Sequence, residues 1–133
     1  MIVHVEDDDG HAFLLKAGLS EQGIEDRIVR LKDGKEAVEF LKITKWKDFF
    51  KKSVMLLDLH LPVMSGKEVL ETMNREGILT KMPVIVLTVS DDPVDEKQCK
   101  ELGCLHYLTK PADGQKLAEL IRQYTNPKQI CKK

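Results

Sequence analysis

The chain has 133 residues, with 21 Lys+Arg against 22 Asp+Glu, four His and a formal net charge of −1. That is about one domain's worth of sequence, long enough to bury a core without a metal or disulfide staple and too short to add a second, output domain. The balanced charge speaks against a general nucleic-acid binder, no apolar run approaches the roughly 20 residues of a membrane span, and Met1 opens no signal-peptide pattern. A cytoplasmic protein with no nucleic-acid and no membrane partner is therefore expected. Cys99, Cys104 and Cys131 are few, odd in number and without a C-x-x-C pair, which speaks against a disulfide framework or a zinc site.

Elements of two kinds alternate along the chain. Ile2 to Val5 is β-prone and stops at the acidic string Glu6 to Asp9. Phe13, Leu14, Ala17 and Gly18, near 3.6-residue spacing, predict a helix ending around Gly23. Arg27 to Leu31 alternates like a strand, and Asp33-Gly34 reads as a turn. Ala37, Val38, Phe40 and Leu41 mark a second helix. Val54 to Leu57 is a continuous apolar run ending at Asp58, as expected for a strand buried on both faces. Val69, Leu70 and Met73 lie on a third helix broken near Gly77. Val84 to Leu87 is a second apolar run, closing at Thr88. A charged helix over Pro93 to Leu102 is stopped by Gly103. His106 to Thr109 forms a fifth strand ended by Lys110-Pro111, and Gly114 to Tyr124 a last helix with Leu117, Leu120 and Ile121 on one face. Five strand–helix units in strict alternation predict an α/β fold, a doubly wound, five-stranded parallel sheet with five helices. The least regular segment, Lys42 to Lys52, holds five Lys with Trp46, Phe49 and Phe50, expected to pack under a long second helix. The tail from Asn126 to Lys133 is short and basic.

In such a sheet, ligands bind outside the carboxyl ends of the strands. Reading off those ends gives Glu6-Asp7, Asp58, Thr88 and Lys110, with nothing obvious from the second strand. Two carboxylates about 4 Å apart repel by roughly 4 kcal/mol at an effective dielectric of 20. Three of them on one rim should raise a carboxyl pKa or recruit a cation, and an oxygen-only set leaving room for water suits Mg²⁺. With an amine and a hydroxyl opposite, the centre fits a phosphoryl group, and Asp58 could act as its nucleophile. Glu6 to Asp9 could alternatively cap the first helix, Asp58 could be another cap, and Thr88, Lys110 or Tyr107 taken singly could be structural. His4, His11 and His106 are not spaced like a metal site and are expected to be structural.

Glu6-Asp7, the stretch Leu56 to Pro62 around Asp58 with Gly66, Thr88, and Tyr107 with Lys110-Pro111 closely resemble the receiver domain of two-component response regulators. The steps from Asp58 to Thr88 (30 residues) and on to Lys110 (22) are those of the family, and the resemblance covers essentially the whole chain. It implies the flavodoxin-like strand order 2-1-3-4-5, a receiver over residues 1–125 followed by the tail 126–133, and a phosphoacceptor switch rather than an enzyme in the usual sense. Asp58 would accept the phosphoryl group from a sensor histidine kinase. Asp7 would ligate Mg²⁺ directly and Glu6 through water, with Asp58 and the backbone carbonyl of His60 completing the set. Lys110, before a cis Pro111, would pair with a phosphoryl oxygen, Thr88 would turn toward it, and Tyr107 would rotate inward.

Two positions depart from the family's pattern. His60 stands where Asn or another polar residue is common, and Val89 follows Thr88 where a small residue is usual. Both should alter the lifetime of the phosphorylated form, Val89 by narrowing access. The longer segment before Asp58, Leu87 to Ser90 and Tyr107 to Pro111 resemble the small regulators paired with bacterial and cyanobacterial phytochrome kinases. Members of that group often form homodimers through the fourth helix, fifth strand and fifth helix. A phosphotransferase or phosphatase of the haloacid-dehalogenase type also uses a strand-end Asp, but needs a second Asp two residues on, where this chain has His60. A receiver-like binding module that takes no phosphate is the other alternative.

Overall fold

The computed structural model describes residues 1–43 and 52–125. The aromatic cluster Trp46, Phe49 and Phe50 and the tail 126–133 lie outside the described residues. The strands are β1 (Ile2–Val5), β2 (Ile28–Leu31), β3 (Val54–Leu57), β4 (Val84–Thr88) and β5 (His106–Thr109); the helices are α1 (Asp9–Glu21), α2 (Gly34–Ile43), α3 (Gly66–Arg75), α4 (Pro93–Leu102) and α5 (Gly114–Thr125). All strand pairs are parallel, in the order β2-β1-β3-β4-β5. The doubly wound sheet and its strand order are as expected. Val5 lies opposite both Leu31 and Leu57, so β1, β2 and β3 finish level and the residues after them share one rim.

Strand alternation divides the interior in two. Val3, Val5, Met55, Leu57, Val84 and Val86 face α2, α3 and α4, meeting Leu41, Leu70, Met73 and Cys99. Ile2, Leu56, Ile85 and Leu87 face α1 and α5, meeting Leu19, Leu117, Leu120 and Ile121. Cys99 and Cys104 are free and buried in the first of these layers. The three central strands are fully enclosed, as their continuous apolar runs require, while β2 and β5 are half-buried edges.

Helix starts are set by side-chain caps. Asp8 accepts from the His11 N–H at 2.9 Å, Ser65 from the Glu68 N–H at 3.2 Å and Asp92 from the Val94 N–H at 2.9 Å. Asp33 does the same for Glu36 at 2.8 Å, so Asp33-Gly34, expected as a turn, is the N-terminus of α2. The face of α1 also differs from its sequence reading. Ala12 and Leu19 are its buried residues, whereas Phe13 is 72% and Leu14 67% exposed. Apolar side chains at helical spacing locate a helix, but not which stripe of it meets the sheet. No described helix is long and apolar enough to cross a membrane.

His4, on the α1–α5 side of β1, is only 3% exposed. Burial, helped by the positive charges of Lys110 and Arg30, pushes its pKa from 6.5 down to about 4. The unfolded chain therefore takes up a proton near pH 6.5 that the folded chain refuses until about pH 4, so this group's contribution to stability is lost as pH falls through that window. Between pH 7 and pH 5 the loss amounts to about 2 kcal/mol. Urea unfolding of the protein and of His4→Leu at both pH values should show that extra loss in the wild type alone; parallel losses would disprove the assignment.

Candidate functional site

The rim beyond the strand ends brings together the residues that the sequence placed there. Glu6 is fully buried, Asp58 is buried and Asp7 is exposed, and ligand oxygens of the three lie within 4.8 Å of one another. Thr88, at the end of β4, donates its hydroxyl to Asp58 Oδ1 at 3.0 Å. Lys110, from the turn after β5, donates to Asp58 Oδ2 at 3.0 Å and also to Glu6 Oε1. The Lys110–Pro111 bond is cis, as the resemblance implied. The His60 backbone N–H donates to Asp58 Oδ1 at 3.1 Å, and the Asp8 N–H to Glu6 Oε2 at 3.2 Å.

The two buried carboxyls are driven in opposite directions. Burial works against the charge of both. At Asp58 it is outweighed by the His60 N–H, the Lys110 ammonium and the Thr88 hydroxyl, so its pKa lies below the ordinary carboxylate value. At Glu6 burial prevails over the bonds from Lys110 and Asp8, with the Asp58 charge adding to it, and its pKa is raised. Lys110 is itself desolvated, but its two carboxylate partners raise its pKa and keep it cationic. The result is an ionised, hydrogen-bonded Asp58 beside a fixed cation. Three converging carboxylates with oxygen ligands only are the donor set of a hard divalent cation.

The sequence matches the response regulator receiver domain family over residues 2–122. The chain belongs to that family. It is 34% identical over 127 residues to the probable methanogenesis regulatory protein FilR2 of Methanothrix harundinacea, covering 93% of this chain and 82% of that protein. It is 31% identical over 123 residues to the response regulator Rcp1 of Synechocystis sp., covering 92% and 84%. The Mn²⁺-bound structure of Rcp1 superposes with a TM-score of 0.71 over 92% of this chain and 88% of that one. The phosphorylated cyanobacterial phytochrome response regulator RcpA superposes with a TM-score of 0.74, at 26% identity, over 95% and 94%. Receiver domains act as phosphoacceptor switches served by histidine kinases, and the acidic cluster of this one suits a divalent cation.

Other parts of the receiver hold these groups in place. Arg30 of β2, a strand from which the sequence suggested no contribution, donates through Nε and Nη2 to the Glu6 carbonyl at 3.0 and 2.9 Å and through Nη1 to Asp9 at 2.7 Å. Its one sequence signal is a charge inside an alternating strand. His11, one turn into α1 and expected to be structural only, brings Nδ1 to 3.2 Å from the Lys110 ammonium. The Tyr107 hydroxyl stands away from the carboxylates, donating to the Ser90 carbonyl at 2.9 Å. Ser90 in turn donates to Asp95, which Lys67 of α3 also grips. This polar chain links the loop after Thr88 to α4 and β5.

On the far side of Asp58, close packing leaves room for hydrogen alone. A Cβ on Gly66 would lie 2.2 Å from the Asp58 carbonyl oxygen, and one on Gly34 2.0 Å from the Met64 carbonyl oxygen. Between these glycines Pro62, Val63 and Met64 form a γ-turn, its Met64 N–H to Pro62 carbonyl bond 2.7 Å and its Val63 φ 70°. That is a strained conformation for a β-branched side chain. Gly66→Ala should therefore displace the backbone of Asp58 itself. A destabilisation of roughly 1–3 kcal/mol in urea unfolding, together with shifted amide resonances at Asp58 and Leu59, is expected. Unaltered stability and spectra would show that the loop yields freely.

Proposed function

We propose that this chain is a phosphoacceptor switch in which Asp58 takes a phosphoryl group from a phosphohistidine of a sensor histidine kinase. The observation that carries this reading is the buried Asp58 carboxylate held ionised between the Lys110 ammonium and the Thr88 hydroxyl. In the transfer, an Asp58 carboxylate oxygen forms a bond to phosphorus while the P–N bond to the donor imidazole breaks. The electron pair leaves with the imidazole, which takes a proton, and Asp58 becomes an acyl phosphate. Lys110, already at the acceptor, stays as counter-charge to the phosphoryl oxygens, and Thr88 is freed from a carboxylate that no longer carries full charge. Glu6, Asp7, Asp58 and the backbone carbonyl of His60 are the ligands we assign to Mg²⁺, with Glu6 acting through water. Bound there, the ion supplies charge neutralisation for the transferred group.

The similarity to Rcp1 and RcpA supports a kinase partner of the phytochrome type in a cytoplasmic pathway. A homodimer through α4, β5 and α5 is supported by the open edge of β5 and by Val94 and Leu105, both more than half exposed beside it. The receiver occupies residues 1–125 on this reading, and Tyr107 is its switch residue, at the centre of that face.

Incubation with Mg²⁺ and acetyl phosphate, or with the cognate kinase, followed by intact-mass measurement, should show one added phosphoryl group. The gain should vanish in Asp58→Asn and when the divalent ion is chelated. A wild type that stays unmodified by every donor would sink the reading.

Val89 follows Thr88 and is 56% exposed, and on this reading its branched side chain narrows access to the acceptor. Val89→Ala should accelerate both labelling by acetyl phosphate and decay of the phosphorylated form several-fold. A decay rate equal to that of the wild type would remove Val89 as a gate.

A further inference from the structure

A lysine ammonium carries three N–H donors and no acceptor, and three acceptors surround that of Lys110. Two are the buried carboxylates, Glu6 Oε1 and Asp58 Oδ2, the latter at 3.0 Å. The third is His11 Nδ1 at 3.2 Å, which comes from α1 rather than from a strand end. Since an ammonium can only donate, the ring nitrogen facing it accepts, and the proton of the imidazole stands on Nε2.

Neither the core nor the helix start calls for an imidazole here. The His11 side chain is 44% exposed and belongs to neither layer of the interior. The cap of α1 uses its backbone N–H, bonded to Asp8 at 2.9 Å, which any residue but proline would supply. That bond makes His11 the third residue of the helix and fixes where its side chain leaves the backbone.

A lysine amine ends a flexible four-carbon stem and turns freely unless its partners hold it. Phosphorylation changes one partner of Lys110. An Asp58 oxygen becomes bonded to phosphorus, and the N–H that faced the carboxylate is needed by the phosphoryl oxygens. Glu6 and His11 are not altered by the transfer. One such anchor would leave the amine free to rotate, whereas two, from the end of β1 and from α1, fix its direction. The remaining N–H is then aimed at the reacting group before transfer begins.

We propose that His11 is a positioning residue for phosphoryl transfer, a role that rests on Asp58 being the phosphoacceptor. Through Nδ1, and together with Glu6, it holds the Lys110 ammonium so that the third N–H serves the phosphoryl group. Without His11, ordering the amine falls on the transfer step itself.

His11→Ala removes the acceptor and places a better helix former in α1, so its fold is not at risk. His11→Asn keeps an acceptor, because its Oδ1 is attached to Cγ as Nδ1 is. The full chain and both variants are labelled with acetyl phosphate over a range of Mg²⁺ concentrations, followed by intact mass, with urea unfolding alongside. At saturating Mg²⁺, His11→Ala should be labelled roughly fivefold more slowly, the worth of one hydrogen bond. The half-saturating Mg²⁺ concentration and the stability should be little altered, and His11→Asn should recover most of the rate. Equal rates in a labelled wild type and His11→Ala would overturn this role alone. So would a His11→Asn as slow as His11→Ala, or a deficit that more Mg²⁺ removes, which would place the effect at the metal ligands. A wild type that no donor labels would overturn the acceptor reading and this role with it.

Discussion

The Lys110 ammonium, set between the buried carboxylates of Glu6 and Asp58, is the interaction on which the site depends. Two acids this close, one fully buried and the other nearly so, repel too strongly to stay ionised together without a cation. A single amine touching both resolves the conflict unevenly, because their remaining partners differ. Asp58 has the His60 N–H and the Thr88 hydroxyl as well, and is held ionised; Glu6 has the Asp8 N–H and complete burial, and is held the less readily. Asp58 and Glu6 are thus separated in proton affinity by their surroundings rather than by residue type. Lys110 stands just after β5, at the sheet edge beyond β4, and its side chain reaches Asp58 after β3 and Glu6 after β1.

The two faces of the sheet serve that arrangement differently. On the α2–α4 side the packing is close enough to forbid a methyl group, with Gly34 and Gly66 letting the γ-turn after β3 press against the Asp58 backbone. Rigidity there fixes where the Asp58 carboxylate points. On the α1–α5 side the enclosure is incomplete, and the imbalance shows on the helix itself: Phe13 and Leu14 face outward while Leu19 alone of the large apolar residues of α1 is buried. A half-packed helix beside an acceptor leaves surface for other molecules, whereas a tightly packed one leaves none.

Between the faces runs the segment after Thr88. Ser90 accepts from Tyr107 through its carbonyl and donates to Asp95 through its hydroxyl, and Lys67 ties Asp95 to α3. Contact therefore continues from Thr88, the hydroxyl partner of Asp58, to the surface of α4 and β5. In a receiver, such a path is where a change in the acceptor's charge can become a change in surface.

The fold class and the residues of the rim were legible in the sequence, and the strand order through its resemblance to receiver domains. Continuous apolar runs ending in Asp58 and Thr88 leave no choice but buried parallel strands, and in a parallel sheet every strand delivers its next residue to the same side. Asp58, Thr88 and Lys110 therefore had to meet whatever the helices did. Three things only the tertiary structure decided. Which stripe of α1 is buried depends on its rotation against the sheet, and periodicity cannot fix that when apolar residues lie on both sides, as Phe13 and Leu19 do. The support of Glu6 by Arg30 depends on β2 lying next to β1, since a lone charge in a strand names no partner. The burial of His4 depends on how α1 and α5 pack over β1. Sequence specifies what each strand carries to its end, but contacts across elements are set by how the helices settle on the sheet.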